Sequence, residues 1–205
     1  MIEKFKTLIN PSKYEPEKEN IKICAKCAKE RPVCCQCLPC HISPCDLKDT
    51  SFQGIVDLIE TGLVSIDWWD GGDKNFSYTE LMEKKRYHFL RMRGKNKSII
   101  DPALGLSVCG LWDKNTGCPL EFSYRPKGAR ELIPAKDLCH DGYTKAECAI
   151  EWIPFEKTLN QVYDYYIKKE NLDELWFFNN MLAELDNLKE IMDIAYENDD
   201  GHSVY

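Results

Sequence analysis

Residues 24–47 read CAKCAKERPVCCQCLPCHISPCDL, with seven cysteines between Cys24 and Cys45. What those thiols hold decides how the chain closes. The spacings are Cys24-x2-Cys27, the adjacent pair Cys34-Cys35, Cys37-x2-Cys40, and Cys45. A C-x2-C step sets two sulfurs on one side of a tight loop, the arrangement that suits tetrahedral thiolate coordination at about 2.3 Å. Adjacent side chains point apart, so Cys34 and Cys35 fit ligands of two different metals, or one ligand and one buried thiol. Pro32, Pro39 and Pro44 interrupt the tract. It therefore reads as an irregular loop organised by metal rather than as a helix or strand.

The alternative is a disulfide scaffold. It requires an export signal, and the opening residues MIEKFKTLINPSKYEPEKENIK contain no apolar core of that type. The chain holds 11 cysteines, an odd number. A cytoplasmic location is expected, and there such density points to metal binding or catalysis. No run of about 18 apolar residues is present, so no membrane span is expected. The formal charge of −7 is concentrated between Phe155 and Tyr205, which hold twelve Asp/Glu against four Lys/Arg. An acidic chain of this kind argues against nucleic acid as a general partner.

Outward from the tract, TSFQGIVDLIETG (50–62) predicts a helix. Thr50 and Gln53 have capping-box spacing. Phe52, Ile55, Val56, Ile59 and Leu63 form one buried face, and Gly62 is placed to end it. SIDWWDGGDKNF (65–76) reads as an aromatic–acidic turn region. In KKRYHFLRMRGKNKSII (84–100) the residues alternate as in a strand, with His88, Leu90 and Met92 on one side and Tyr87, Phe89 and Arg91 on the other. LSVCGLWDKNTGCPLEFSYRP (106–126) predicts two short strands around the turn DKNTG. That hairpin brings Cys109 and Cys118 to the same end. Leu159, Val162, Tyr163, Tyr166 and Ile167 make a helical stripe. Asn171 is placed to cap a second, longer helix running to about Ala195. The expected fold is α+β and mainly helical, with metal-organised irregular loops, a short β-hairpin and a C-terminal αα-hairpin. The expected divisions are an irregular lead-in over 1–20, a metal-binding domain over 21–150, a helical hairpin packed on it over 151–198, and a flexible tail over 199–205.

Two stretches carry a family resemblance: CCQCLPCHISPCD (34–46) and CGLWDKNTGCPLEFSYRPKGARELIP (109–134). With Cys24 and Cys27, they make the chain resemble the bacterial cysteine-cluster proteins, described as zinc- or iron-chelating domains. Members often carry Cys in RP-x2-C-R, where RPKGAR has Ala129. Cys139 is the candidate replacement ligand. The resemblance implies a metal-chelating module, sometimes attached to other activities. Flagellin lysine methylases, for example, carry a related cysteine pattern. It supplies no reaction for this chain.

Counting thiols leads to the same chemistry. Cys24, Cys27, Cys34, Cys35, Cys40, Cys109, Cys118 and Cys139 suffice for about two four-sulfur sites. Cys37, Cys45 and Cys148 remain as spares, with His41 and His140 as alternative nitrogen ligands. Cys148, in KAECAIEWI, reads as a buried apolar thiol. Zinc is the preferred metal, because no ferredoxin-type cysteine run is present. An iron–sulfur cluster is the alternative. The local tract then provides only part of the ligand set, and sulfurs some seventy residues away complete it. On this reading the cysteines clasp the domain shut.

Other features have simpler readings beside the functional ones. Seven Lys/Arg lie between Lys84 and Lys97. They could meet phosphates, but a solvated strand face or a partner for the acidic helices explains them as well. Arg125 and Arg130 are placed to neutralise metal-bound thiolates. Of Trp68 and Trp69, one is expected in the core with the other over it. Three successive aromatics, Trp176, Phe177 and Phe178, cannot share one narrow helix face, which suggests a protein partner for the C-terminal helices. The function expected is a zinc-binding interaction or regulatory module without enzymatic activity. The alternative is an iron–sulfur or metal-dependent enzyme, of oxidoreductase or protein-methylase type.

Overall fold

The computed structural model describes residues 1–13, 39–69, 86–101, 107–113, 117–132, 142–173, 176 and 179. Helix α1 spans Ile2–Leu8, strand β1 His41–Ile42, helix α2 Phe52–Ile59, strand β2 Val64–Trp69 and strand β3 Tyr87–Met92. Helices α3 (Lys127–Arg130), α4 (Lys145–Trp152) and α5 (Glu156–Lys169) follow, with single 3-10 turns at Pro44–Asp46, Phe122–Tyr124 and Ile153–Phe155. The fold is mixed α+β.

The strands form one antiparallel sheet in the order β1-β3-β2. Its register pairs Ile42 with Leu90, Ile66 with Leu90 and Trp68 with His88. Ile42, Ile66, Trp68, His88 and Leu90 therefore share one face, and His41, Asp67, Phe89 and Arg91 the other. Helix α5 lies on the first face, where Tyr163 stacks on His88. Helix α4 reaches the second, where the Lys145 ammonium sits over the Phe89 ring and pairs with Asp67. With both faces covered, the first five residues of β2 are all buried. Beyond β2, Ile99–Asp101 adds a short parallel edge, with Ile66 N–H donating to Ile99 O at 2.7 Å and Asp101 N–H donating to Ile66 O at 2.9 Å.

Several expectations are corrected here. SIDWWDGGDKNF was expected to be a turn, but its first five residues, Ser65–Trp69, are the last five of the six in β2. The alternation Val64-Ser65-Ile66-Asp67-Trp68 is a strand signal that the aromatic–acidic stretch beyond it masked. The lead-in, irregular or partly helical by sequence, opens with a helix whose Phe5 is fully buried. The Ile9–Leu47 bridge then ties that helix to the cysteine tract. The tract itself holds strand β1. The cap of α2 is Ser51, not Thr50, with its hydroxyl accepting from Gly54 N–H at 3.2 Å. Helix α4 crosses the expected boundary at 150 and opens on a Thr144/Glu147 capping box. Asn171 does not start a helix. It adopts φ 53° just past the end of α5, with Leu172 N–H returning to Ile167 O at 3.0 Å. Asp173 takes the capping position instead, accepting from Trp176 N–H at 2.7 Å.

The stripe of α5 forms as expected, with Leu159, Val162 and Tyr166 fully buried. Of the face expected for α2, Ile55, Val56, Ile59 and Leu63 are buried but Phe52 is exposed; Trp68 is buried while Trp69 lies at the margin of the core. The remainder of the second C-terminal helix, the tail and the residues between 14 and 38 fall outside the described residues. No helix among the described residues is long and apolar enough to cross a membrane.

Candidate metal centre

The end of β3 gathers two of the expected ligand segments. Met92 N–H donates to Cys40 O at 2.9 Å, holding Cys40 at the mouth of β1. Two residues on, Gly94 bridges to Cys109, with Gly110 N–H on Arg93 O at 2.8 Å and Lys95 N–H on Val108 O at 2.7 Å. Gly94 is needed for this close approach, because a Cβ there would lie 2.0 Å from Ser107 Oγ. Cys40 and Cys109 thus flank the same three residues although 69 positions separate them.

Cys118 arrives through the expected turn. Asp113 and Gly117 exchange both backbone hydrogen bonds, at 3.0 and 2.8 Å, and Gly117 takes the left-handed φ of 75° that the reversal requires. The two short strands expected around the turn reduce to isolated bridges, Gly94–Cys109 and Asp113–Gly117.

Two of these thiols, Cys40 and Cys109, are shifted by their surroundings. Burial pushes the Cys40 thiol well up, and the neighbouring Cys109 and Cys118 push it further. Burial also raises the Cys109 thiol, and Cys118 adds to this. Opposing them, the backbone N–H groups of Leu111 and Trp112 point at the Cys109 sulfur and the Arg91 guanidinium stands near it. Two amides aimed at one sulfur favour the thiolate there. Soft sulfur donors from separate chain segments, held in a desolvated place where all cannot ionise unaided, fit a thiophilic divalent cation such as zinc. Cys40, Cys109 and Cys118 are the thiols of the described residues that could contribute to such a site. Among the described residues, however, no group of three or more His, Cys, Asp or Glu is arranged to hold a metal ion. Cys24, Cys27, Cys34, Cys35 and Cys139 lie outside the described residues, as do Cys37 and His140.

The remaining cysteines divide. Cys148 is fully buried, with its thiol directed at Ile42 O at 3.5 Å, and burial pushes its ionisation up. It is the core thiol expected. Cys45 is exposed, and its sulfur lies 3.1 Å from Ser43 Oγ. His41 packs its ring edge-on against Phe89 at 5.5 Å.

A second constellation was missed from sequence. The buried Asp46 carboxylate accepts from Ser43 N–H and Lys127 N–H, each at 2.9 Å, and from Arg130 Nη2 at 2.9 Å. It caps the turn of helix α3 that follows Pro126, joining the end of the tract to RPKGAR. Arg130 therefore neutralises a carboxylate, not the thiolates anticipated. Arg125 spends its Nε on Leu120 O at 3.1 Å. The cation near Cys109 is instead Arg91, from the basic run read as a solvated face. Arg91 is 2% exposed, pairs with Asp67 at 3.2 Å and also contacts Asp101. The signal for Asp46 was present, because both PCD and RPKGAR lie in the stretches that carry the resemblance.

Beside Asp46, the Glu151 carboxylate accepts from Lys127 Nζ at 2.6 Å, Tyr143 Oη at 2.7 Å and Ser43 Oγ. Burial works against its charge, yet these donors hold its carboxyl below the ordinary value. It borders an open cleft of about 270 Å³ that Glu131 and Glu147 also line. Each donor to Glu151 comes from a different segment, so the group braces the loops around the tract. No family model, curated protein or solved structure matches this chain.

Proposed function

We propose that this is a cysteine-cluster protein in which zinc, about two ions on the eight-thiol count, clasps the N-terminal tract to the hairpin. The observation that carries this reading is the convergence of Cys40 with Cys109 and Cys118 at the end of β3, with two backbone amides directed at Cys109. The resemblance to cysteine-cluster proteins supports the same chemistry. Cys24, Cys27, Cys34, Cys35 and Cys139 complete the sites, which organise the loops around the sheet. The protein acts as an interaction or regulatory module in the cytoplasm, with the C-terminal helices engaging a protein partner.

Elemental analysis of anaerobically purified protein, paired with its absorption spectrum, tests the proposal. Colourless protein with about two zinc per chain supports it. Iron with visible absorption moves the assignment to a cluster-bearing enzyme.

A further inference from the structure

Away from the cysteines, one half-buried titratable side chain has no role in the metal reading. His88 projects from β3 into the seam beneath α5. Its ring stacks on Tyr163 with centroids 4.2 Å apart and 22° between planes. The Trp68 ring meets it edge-on at 6.3 Å. Its Nδ1 lies 2.7 Å from Asn160 Oδ1, so Nδ1 carries the proton and donates. That leaves Nε2 as the bare nitrogen. Nε2 is buried and has no hydrogen-bond partner.

This geometry is matched to the neutral ring only. A proton added at Nε2 creates an N–H⁺ with no protein group to receive it, at a buried position of the seam. The charged groups around the ring are few. On α5, Asp164 favours the charged form. On β2, Asp67 does too, but it is already committed to Arg91 and Lys145. On β3 itself, Arg86 opposes the charge, with its guanidinium over the Trp68 ring at 4.6 Å. Tyr163 offers only its ring face. Burial outweighs these neighbours and holds His88 below the ordinary imidazole value of 6.5.

We infer that the His88–Asn160–Tyr163 contact is a proton-sensitive latch, and that charging His88 loosens α5 from the sheet. The sign follows from linkage. A ring that titrates low when docked and ordinarily when released costs the docked state nothing above pH 6.5. The docked state then loses ground as the pH falls from there through the depressed value. At about pH 5.5 the shift reaches up to about tenfold, the proton-binding ratio of a released imidazole one unit below its ordinary value. Loosening uncovers Leu159, Val162 and Tyr166 and frees the segment that leads into the C-terminal helices.

The test uses the full chain as purified, with hydrogen exchange and histidine NMR on wild type and His88→Phe. Phenylalanine keeps the stacking ring and removes the titration. The readout is amide protection in α5 relative to α2, which cancels the intrinsic pH dependence of exchange. Between about pH 7.5 and 5.5 that ratio falls by up to about tenfold in wild type and stays level in His88→Phe. Loss of metal on acidification would act on both proteins alike. An equal fall in both, or none in wild type, overturns the latch. If the variant does not fold, wild type alone decides. The Cε1–H resonance of His88 must titrate below 6.5, and titration at or above that value overturns the inference.

Discussion

Two seams close this molecule, and they are made of different material. At the α5 seam, Leu159, Val162 and Tyr166 are fully buried against the sheet and α2. Tyr166 and Lys169 then fasten the far end to Glu60 at 2.9 and 2.7 Å. At the cysteine seam, the chain is joined by backbone bridges around Met92–Gly94, beside the thiols of Cys40 and Cys109, whose ionisation burial pushes up. An apolar seam holds by excluding water. A seam of crowded thiols gains its strength only from what the thiols bind. The α5 side should therefore tolerate a chelator and the cysteine side should not.

The largest effect expected is at the cysteine seam. On the proposed reading, Cys109→Ser removes a ligand that links distant segments. Structural zinc contributes on the order of 10 kcal/mol to folding, so Tm should fall by more than about 10 °C together with metal content. Unchanged metal and melting would remove Cys109 from the site. Next comes the buried charge group between the seams. Asp67 and Asp101 are 2% and 1% exposed and share Arg91. Arg91→Met leaves two carboxylates without their cation, at a cost of about 3–5 kcal/mol by chemical denaturation. A loss under about 1 kcal/mol would show that Lys145 and Lys97 compensate.

On the apolar side, Leu159→Ala should cost about 2–5 kcal/mol and leave metal content untouched. Metal loss in that variant would show that the two seams are one cooperative unit. The smallest effect is Ser51→Ala, which deletes the α2 cap for about 1 kcal/mol in the same denaturation assay. A cost near that of Leu159→Ala would mean that α2 nucleates both seams.

How far these features could be read from sequence depended on the kind of signal each left. Helices α2 and α5 each bury one stripe, so helical periodicity exposed them, and β3 was legible from its alternation of residue types although four of its six residues are buried. The turn at Asp113–Gly117 was visible because reversal demanded its glycine. Strand β2 was missed although Val64-Ser65-Ile66-Asp67-Trp68 alternates, because its polar positions Ser65 and Asp67 and the acidic, glycine-rich run after it resemble a turn until the sheet buries them. Helix α4 announced itself only through Thr144 and Glu147, a box that is easily passed over beside a cysteine tract. In the site, residue type alone singled out Cys40, Cys109 and Cys118. Asp46 escaped because a carboxylate that caps a distant four-residue helix leaves no spacing to recognise. Arg91 escaped because a basic run resembles a surface until the sheet places one member between two buried carboxylates.

The claim at the centre of this account is that the cysteine seam is a metal clasp. Elemental analysis with an anaerobic absorption spectrum, followed by thermal melting with and without chelator, tests it most directly. The account predicts about two zinc per chain, no visible absorption, and a melting temperature that collapses on chelation. Metal-free protein that melts at the same temperature with and without chelator would contradict it.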